Sequence, residues 1–301
     1  MSKFLSAMKN ILVFGGNGFL GQYLVNELIN RKYNVDVADI TDIVDLKANR
    51  FLECNILDRS QVENLVLNRG YEIVYNFAGF ANLDKAVHFP YDTVNLNVIG
   101  NINIMDACVK AGIDRFIFAS SAYAMSNKGS FYGISKLASE KLIEEYQKRY
   151  GLTYTILRYG SVYSELPFDN NYIYSLVEKA IKEKCIVHQG DGMELRVYIH
   201  ASDAAKLSAD VILSNQFDNM HVMLTGNEKT RRKELFELIK EILGYDLKII
   251  LKPHAESFHY RYTPYSFDPS VSIKLVANPH IDMGQGILEC IRSVHKNDGS
   301  K

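Results

Sequence analysis

The sequence predicts an α/β fold built around a doubly wound parallel sheet, and three observations predict it. An apolar run, Ile11 to Phe14, passes directly into Gly15-Gly16-Asn17-Gly18-Phe19-Leu20-Gly21 and then into Tyr23, Leu24, Leu28 and Ile29 at helical spacing. Short apolar runs then alternate with longer helical stretches up to about residue 160, the rhythm of parallel strands joined by crossover helices. Hydrophobic residues make up 47% of the chain and charged residues 23%, a balance that excludes disordered, collagen-like and disulfide-scaffold classes.

In order, strands are expected at 11–14, 35–38, 51–54, 72–77, 115–119 and 153–157, and helices after the glycine turn and at 60–69, 91–111 and 132–150. Beyond Tyr159 the rhythm changes. A loop at 161–170 precedes a helix at 172–183, a strand at 185–188, a turn at Gly190-Asp191-Gly192 and a strand at 197–199. Helices at 202–213 and 230–243 and a Pro- and aromatic-rich tail follow. No Pro/Gly/Ser linker separates the parts, so the chain divides into a main domain, 1–160, and a smaller α/β region, 161–301. Some segments of the second region are expected to return to the first. Residues 1–9 read as a frayed leader.

Charge and cysteine usage narrow the function classes. With 34 Lys and Arg against 35 Asp and Glu the formal charge is -1, so no basic field draws the chain to nucleic acid. Cys54, Cys108, Cys185 and Cys290 form no CxxC pair and no His cluster at zinc spacing, which implies reduced thiols, a cytoplasmic location and no metal site. No apolar run approaches the roughly eighteen residues of a membrane span.

Gly15, Gly18 and Gly21 follow a strand and open a helix, where a missing Cβ lets the backbone approach a pyrophosphate and the helix N-terminus offers it free N–H groups. Phe19 and Leu20 complete that turn. Asp39, eighteen positions past Gly21 at the end of the second strand, is placed to accept the hydroxyls of an adenosine ribose, and its charge opposes a 2′-phosphate. NAD is therefore the expected cofactor, and 1–160 its domain. Asp58 is a further candidate, for the adenine amino group, and Ala78-Gly79 end the fourth strand with residues small enough for a cofactor to lie close.

Tyr132-Gly133-Ile134-Ser135-Lys136 sets a phenol and an ammonium four residues apart on one helix face. A tyrosine titrates near pH ~10 and is a poor base at neutrality unless a neighbouring cation stabilises its anion. Ser121 ends a strand at the same edge of the sheet, placed to hold the oxygen being oxidised, with Ser120 beside it.

Together with Leu157-Arg158-Tyr159-Gly160-Ser161-Val162-Tyr163 and Gly190-Asp191-Gly192-Met193-Glu194-Leu195-Arg196-Val197-Tyr198-Ile199-His200, these motifs resemble an extended short-chain dehydrogenase/reductase of the nucleotide-sugar epimerase and dehydratase group, over about residues 10–245. The resemblance implies catalysis by Ser121, Tyr132 and Lys136, with Lys136 also holding the nicotinamide ribose. It places Asn97 at the cofactor site and a nucleotide-activated sugar under the second region. Substrate contacts are implied from Ser120, Ser121, Tyr159, Ser161 and Arg196, the last toward the diphosphate. Family members of this type dimerise through helices matching 91–111 and 132–150, so a homodimer is implied.

Departures from the pattern narrow the reaction. Dehydratases of the group carry Asp-Glu where this chain has Ala122 and Tyr123, and the fucose-synthase branch carries a Cys in that loop that is missing here. The tail lacks the usual Arg-Pro-Gly-Asp run, and Arg261 is the candidate replacement for its arginine. The expected activity is C4 epimerisation through a transient 4-keto sugar. The same residues would also serve a one-way 4-keto-sugar reductase or C4 dehydrogenase, or be retained in a non-catalytic dinucleotide-binding protein.

Overall fold

The computed structural model describes residues 9–42, 48–252, 259–263 and 272–298; residues 1–8, most of the expected leader, lie outside them. The first half alternates strand and helix: β1 (Asn10–Phe14), α1 (Phe19–Asn30), β2 (Asn34–Asp39), β3 (Arg50–Glu53), α2 (Arg59–Leu67), β4 (Ile73–Asn76), two short helices α3 (Leu83–Ala86) and α4 (Pro90–Val94), α5 (Gly100–Ala111), β5 (Arg115–Ser121), α6 (Ser130–Tyr150) and β6 (Tyr154–Tyr159). The helix expected at 91–111 is interrupted by a π turn over Asn95–Ile99, a widening common at functional positions.

The second half holds β7 (Ser161–Tyr163), α7 (Tyr172–Glu183), β8 (Cys185–Gln189), β9 (Leu195–His200), α8 (Ala201–Asp210), β10 (Met220–Leu224), β11 (Lys229–Arg231), α9 (Arg232–Leu243), β12 (Lys248–Lys252), β13 (Ser272–Leu275) and α10 (Met283–Asp298). Eight parallel strands form one sheet in the order β13-β10-β6-β5-β4-β1-β2-β3. Its direction of winding reverses between β1 and β4, which opens a crevice beyond their carboxyl ends. The fold is thus the doubly wound, Rossmann-type sheet the sequence predicts. One face packs on α1 and α8, with Leu24, Leu28, Leu207 and Val222 among the buried residues; Ile104, Cys108 and Ile143 of α5 and α6 fill the other.

Two small sheets, β11-β9-β7 and β12-β8, pack with α7, α9 and α10 around a separate core that includes Phe236, Ile239 and Ile287. The segment expected as a loop at 161–170 begins with β7, whose register with β9 runs Ser161 to Tyr198. Three residues are too few to show periodicity, and the buried Tyr163 is what fixes them. The Pro- and aromatic-rich tail, to which the sequence reading gave no element, contains α10, whose Met283, Ile287, Cys290, Ile291 and Val294 recur at helical spacing on its buried face. No helix among the described residues is long and apolar enough to cross a membrane.

Candidate active site

The crevice is lined first by the β1–α1 turn. Gly15 holds φ at +73°, and a Cβ there would sit 2.4 Å from the Ala78 backbone nitrogen; one on Gly21 would sit 2.1 Å from the Gly15 carbonyl oxygen. Only glycine lets the turn, the helix and the β4 loop close together in this way. α1 has no side-chain cap and no acid in its first turn, so its leading N–H groups remain available to an anion. Gly21→Ala is expected to lower stability by about 1–3 kcal/mol through overpacking and to abolish saturable NAD binding, checked by calorimetry alongside thermal melts.

Asp39 closes one side of this cradle. Its Oδ2 accepts the Asn17 N–H at 3.0 Å and its Oδ1 the Ile40 N–H at 2.8 Å, which leaves lone pairs on both oxygens for further donors. Burial pushes its carboxyl above the ordinary range, against the pull of those backbone bonds. Asn17, a residue the motif contains but to which sequence reasoning assigned no task, is buried and ties the turn to Thr41 through its side-chain amide. A glycine cradle, a free helix N-terminus and a two-oxygen acceptor at the end of β2 fit a dinucleotide.

Opposite lies the β4 loop. Gly79 adopts φ +147°, and a Cβ there would meet Asn97 Oδ1 at 2.4 Å. Asn97, in the π turn, spends both amide hydrogens on Phe80 O (3.1 Å) and Ser135 Oγ (2.9 Å), while its Oδ1 accepts the Phe80 N–H at 2.7 Å. It therefore shapes the wall of the crevice and presents no free amide hydrogen to it. Asp58 caps α2, its Oδ1 accepting from the Ser60 and Gln61 backbones and the Ser60 hydroxyl, bonds that lower its pKa. Phe19 stacks on Phe168 at 5.3 Å, and Leu20 packs against the core.

β5 and α6 bring the catalytic candidates together. Ser121 is buried at the end of β5 beside the Tyr132 phenol. Burial raises the phenol's pKa, and the neighbouring Ser121 hydroxyl acts against that rise. Lys136 Nζ donates to Ala119 O at 2.8 Å and lies 5.9 Å from the Tyr132 ring centre. Burial brings its pKa down to about 8, with Glu140 acting in the other direction. Phenol, hydroxyl and ammonium thus converge at the carboxyl edge of the sheet, next to Gly79.

Ser120 does not join them. Neighbouring residues of a strand face opposite ways, and the Ser120 hydroxyl donates to buried Glu140 at 2.5 Å. Tyr159 is likewise turned into the core, its hydroxyl on Ser208 Oγ at 2.6 Å and its ring against Phe77. Neither side chain is disposed for the substrate contact expected of it. Ser161 stays half-buried on β7 beside β9. Arg261 turns its guanidinium outward to Asp191 at 3.1 Å, both groups about 60% exposed, and gives the site only its carbonyl, which accepts from the Leu195 N–H and from Arg196.

Arg196 is buried on β9, its guanidinium 4.4 Å from the Tyr260 ring centre and bonded only to carbonyls. Burial lowers its pKa, as does the neighbouring charge of Arg232. Arg232, at the start of α9, lies 3.7 Å from the Tyr172 ring, with enclosed Nε and Nη1 atoms that have no hydrogen-bond partner. Among the described residues neither guanidinium is hydrogen-bonded to a carboxylate, although Glu194 is near enough to favour the charged form of Arg232, and like charges taken from water favour an anion between them. Sequence reasoning missed Arg232 because Lys229-Thr230-Arg231-Arg232-Lys233 reads as a solvated charged run.

Among the described residues Glu165, His200 and Glu289 gather within metal-binding distance of one another. His200 Nδ1, however, accepts the Ser202 N–H, which leaves the neutral ring's proton on Nε2, facing Glu165 and Glu289 at 3.3 and 3.4 Å. At those distances His200 Nε2 makes no hydrogen bond to either carboxylate, and the three side chains simply bring β9, the 164–171 loop and α10 together.

Fold and site together define a dinucleotide-binding protein with a Ser-Tyr-Lys centre. The chain belongs to the NAD dependent epimerase/dehydratase family, whose model matches residues 11–222, and its cofactor is NAD. It is 29% identical to a putative UDP-glucose 4-epimerase of Methanocaldococcus jannaschii, over 96% of this chain and 99% of that one. A mouse dTDP-D-glucose 4,6-dehydratase is 24% identical over 78% of this chain and 74% of its own length. A UDP-glucose 4-epimerase of Thermotoga maritima, solved with UDP-glucose, superposes with a TM-score of 0.83 at 26% identity, covering 96% of this chain and 99% of that one.

Proposed function

We propose that the protein is an NAD-dependent epimerase of a nucleotide-activated sugar, inverting C4 through a transient 4-keto sugar. The observation that carries this reading is the convergence of Ser121, Tyr132 and Lys136 beside the glycine cradle. Gly15, Gly18, Phe19 and Leu20 would hold the NAD pyrophosphate, Asp39 its adenosine ribose, and Ala78, Gly79 and Lys136 its nicotinamide half. When bound, NAD supplies a hydride acceptor that can return the hydride to the opposite face of the sugar.

Tyr132 takes the proton of the C4 hydroxyl and later gives it back. Ser121 holds that oxygen by hydrogen bond, and the Lys136 charge makes the phenolate accessible near neutrality. Arg196 and Arg232 grip the diphosphate, and Tyr123 and Tyr260 bridge the space between them and Tyr132. Ala122, in place of the first acid of the dehydratases' Asp-Glu pair, favours epimerisation over elimination of water, as does full-length similarity to the putative archaeal epimerase. Incubating the NAD-loaded protein with UDP-, GDP-, CDP- and dTDP-sugars and reading products by NMR tests this: C4 epimers should appear without net NADH.

Two outcomes follow from the electrostatics. Lys136, with a pKa of about 8, is charged below that pH and neutral above it. kcat/KM should therefore fall as pH rises through about 8, measured over a pH series with the free protein's stability checked at each point. Arg232→Met should raise KM by roughly 10²-fold, the loss of one charge-assisted contact worth about 1.5–3 kcal/mol, with kcat changed much less.

A cytoplasmic homodimer completes the proposal. α4 and α6 leave Tyr91, Val94, Ile134 and Leu137 exposed, apolar side chains on the helices through which a dimer is expected; light scattering gives the mass that tests it.

A further inference from the structure

Beside Tyr132 stands a second hydroxyl with its own proton store. Tyr123 Oη lies 2.7 Å from His259 Nδ1, and His259 Nε2 lies 3.0 Å from Asp84 Oδ1. The Asp84 carboxylate, held low by His259, can only accept, so it fixes the ring proton on Nε2. Nδ1 then carries a lone pair, and the Tyr123 O–H donates to it. Hydroxyl, imidazole and carboxylate in that order are the parts of a general-base relay.

The relay is seated firmly and in a telling place. Gly129 holds φ at +97°, and a Cβ on it would press on the Tyr123 ring at 2.7 Å. The Tyr123 N–H donates to Ser121 Oγ at 3.2 Å. Its ring stacks on Tyr260 at 4.4 Å and meets Tyr132 edge-on at 6.2 Å, while Tyr260 in turn lies under Arg196. Tyr123 thus lies between the catalytic phenol and the anion site. On the reading proposed above, a sugar must span that gap. The outer end of the relay, Asp84, is 80% exposed, which opens a path for protons to solvent.

We propose that Tyr123, backed by His259 and Asp84, is a second acid–base group of this site, acting on the carbon-bound hydrogen next to the transient C4 ketone. In the step, Tyr123 Oη takes the proton from C3 or C5 as its own proton passes to His259 Nδ1. The C–H electron pair forms an enolate on the keto oxygen, which the Ser121 hydroxyl hydrogen-bonds. Reversal restores the ketone, and no oxidant or reductant is consumed. A buried phenol is a weak acid alone; concerted transfer to an imidazole paired with a carboxylate is what makes it a usable base.

This inference rests on the nucleotide-sugar reading, and one experiment separates the two. The NAD-loaded protein is incubated in D2O with UDP-glucose and with UDP-galactose, and C4 inversion and deuterium at C3 and C5 are followed by NMR. Wild type should incorporate solvent deuterium at one of these carbons as C4 inverts. In Tyr123→Phe and His259→Gln the ratio of deuterium incorporation to C4 inversion should fall at least tenfold, whatever happens to either rate. As a readout free of substrate, 15N shifts of His259 in the free protein should show the Nε2–H tautomer. C4 inversion with no deuterium in wild type overturns the relay and leaves the epimerase standing; an unchanged ratio in Tyr123→Phe, or the Nδ1–H tautomer, overturns the assignment to Tyr123. No conversion of these or of any other sugar of the panel overturns both.

Discussion

Tyr132→Phe should lower kcat/KM by roughly 10³-fold while leaving the fold and NAD affinity intact, the loss typical of a general base removed from its transition state. The variant keeps the ring that Tyr123 packs against and removes only the phenol oxygen beside Ser121. Because the proton is taken in the chemical step, kcat should fall with kcat/KM and KM should barely move. Steady-state kinetics on the best sugar of the panel, with melting curves as a folding control, give the answer. A variant within a factor of a few of wild type would leave the phenol without its assigned task.

Glu140 carries the second large effect. Its carboxylate is fully buried and paired with Arg158 through Oε2 to Nη2 at 2.7 Å and Oε1 to Nε at 3.0 Å, while Oε1 also accepts from Ser120. Buried His221 lies 3.6 Å away. Glu140→Ala leaves the Arg158 guanidinium charged and enclosed, so unfolding should become easier by about 3–5 kcal/mol, measured by denaturant titration. Glu140→Gln separates packing from charge. Since Glu140 supports the charged form of Lys136, its neutral replacement should move the alkaline fall in kcat/KM below pH 8. An unmoved fall would detach the Glu140 cluster from the chemistry above it.

The sheet was largely legible in the sequence because parallel strands buried on both faces are continuous apolar runs, and β1, β3, β4 and β5 are each followed by helix. The strands that escaped, β7, β11, β12 and β13, are short and defined by partners far along the chain, as in the pairing of Val222 with Ile273 and of Ile250 with Val187. β10 is apolar enough to be seen, but it follows a 3-10 turn at Asn215–Phe217 and returns to a sheet left sixty residues earlier.

At the site, residues whose placement is set by backbone geometry were readable: Gly15 and Gly21 by the turn, Tyr132 and Lys136 by helical spacing. Those whose placement depends on which way a side chain turns were not. Ser120 and Ser121 are chemically identical, and only the strand's alternation sends one to Glu140 and the other to Tyr132. Arg261 and Arg232 lie contrary to expectation for a similar reason. Arg261 finds Asp191 and turns outward, whereas Arg232, inside an unremarkable cationic run, is enclosed against Tyr172. The Tyr123–His259–Asp84 chain joins residues up to 175 positions apart, with nothing in the local sequence to announce it.

The most direct test of the central claim follows the hydrogen itself. A nucleotide sugar deuterated at C4 is turned over by the NAD-loaded protein to equilibrium, and the epimer is examined by mass spectrometry and NMR. If hydride leaves C4 and returns to its other face within one closed site, the epimer carries the label at C4 and free NADH does not accumulate. Label found in released NADH, or lost from C4 in the product, would contradict the account.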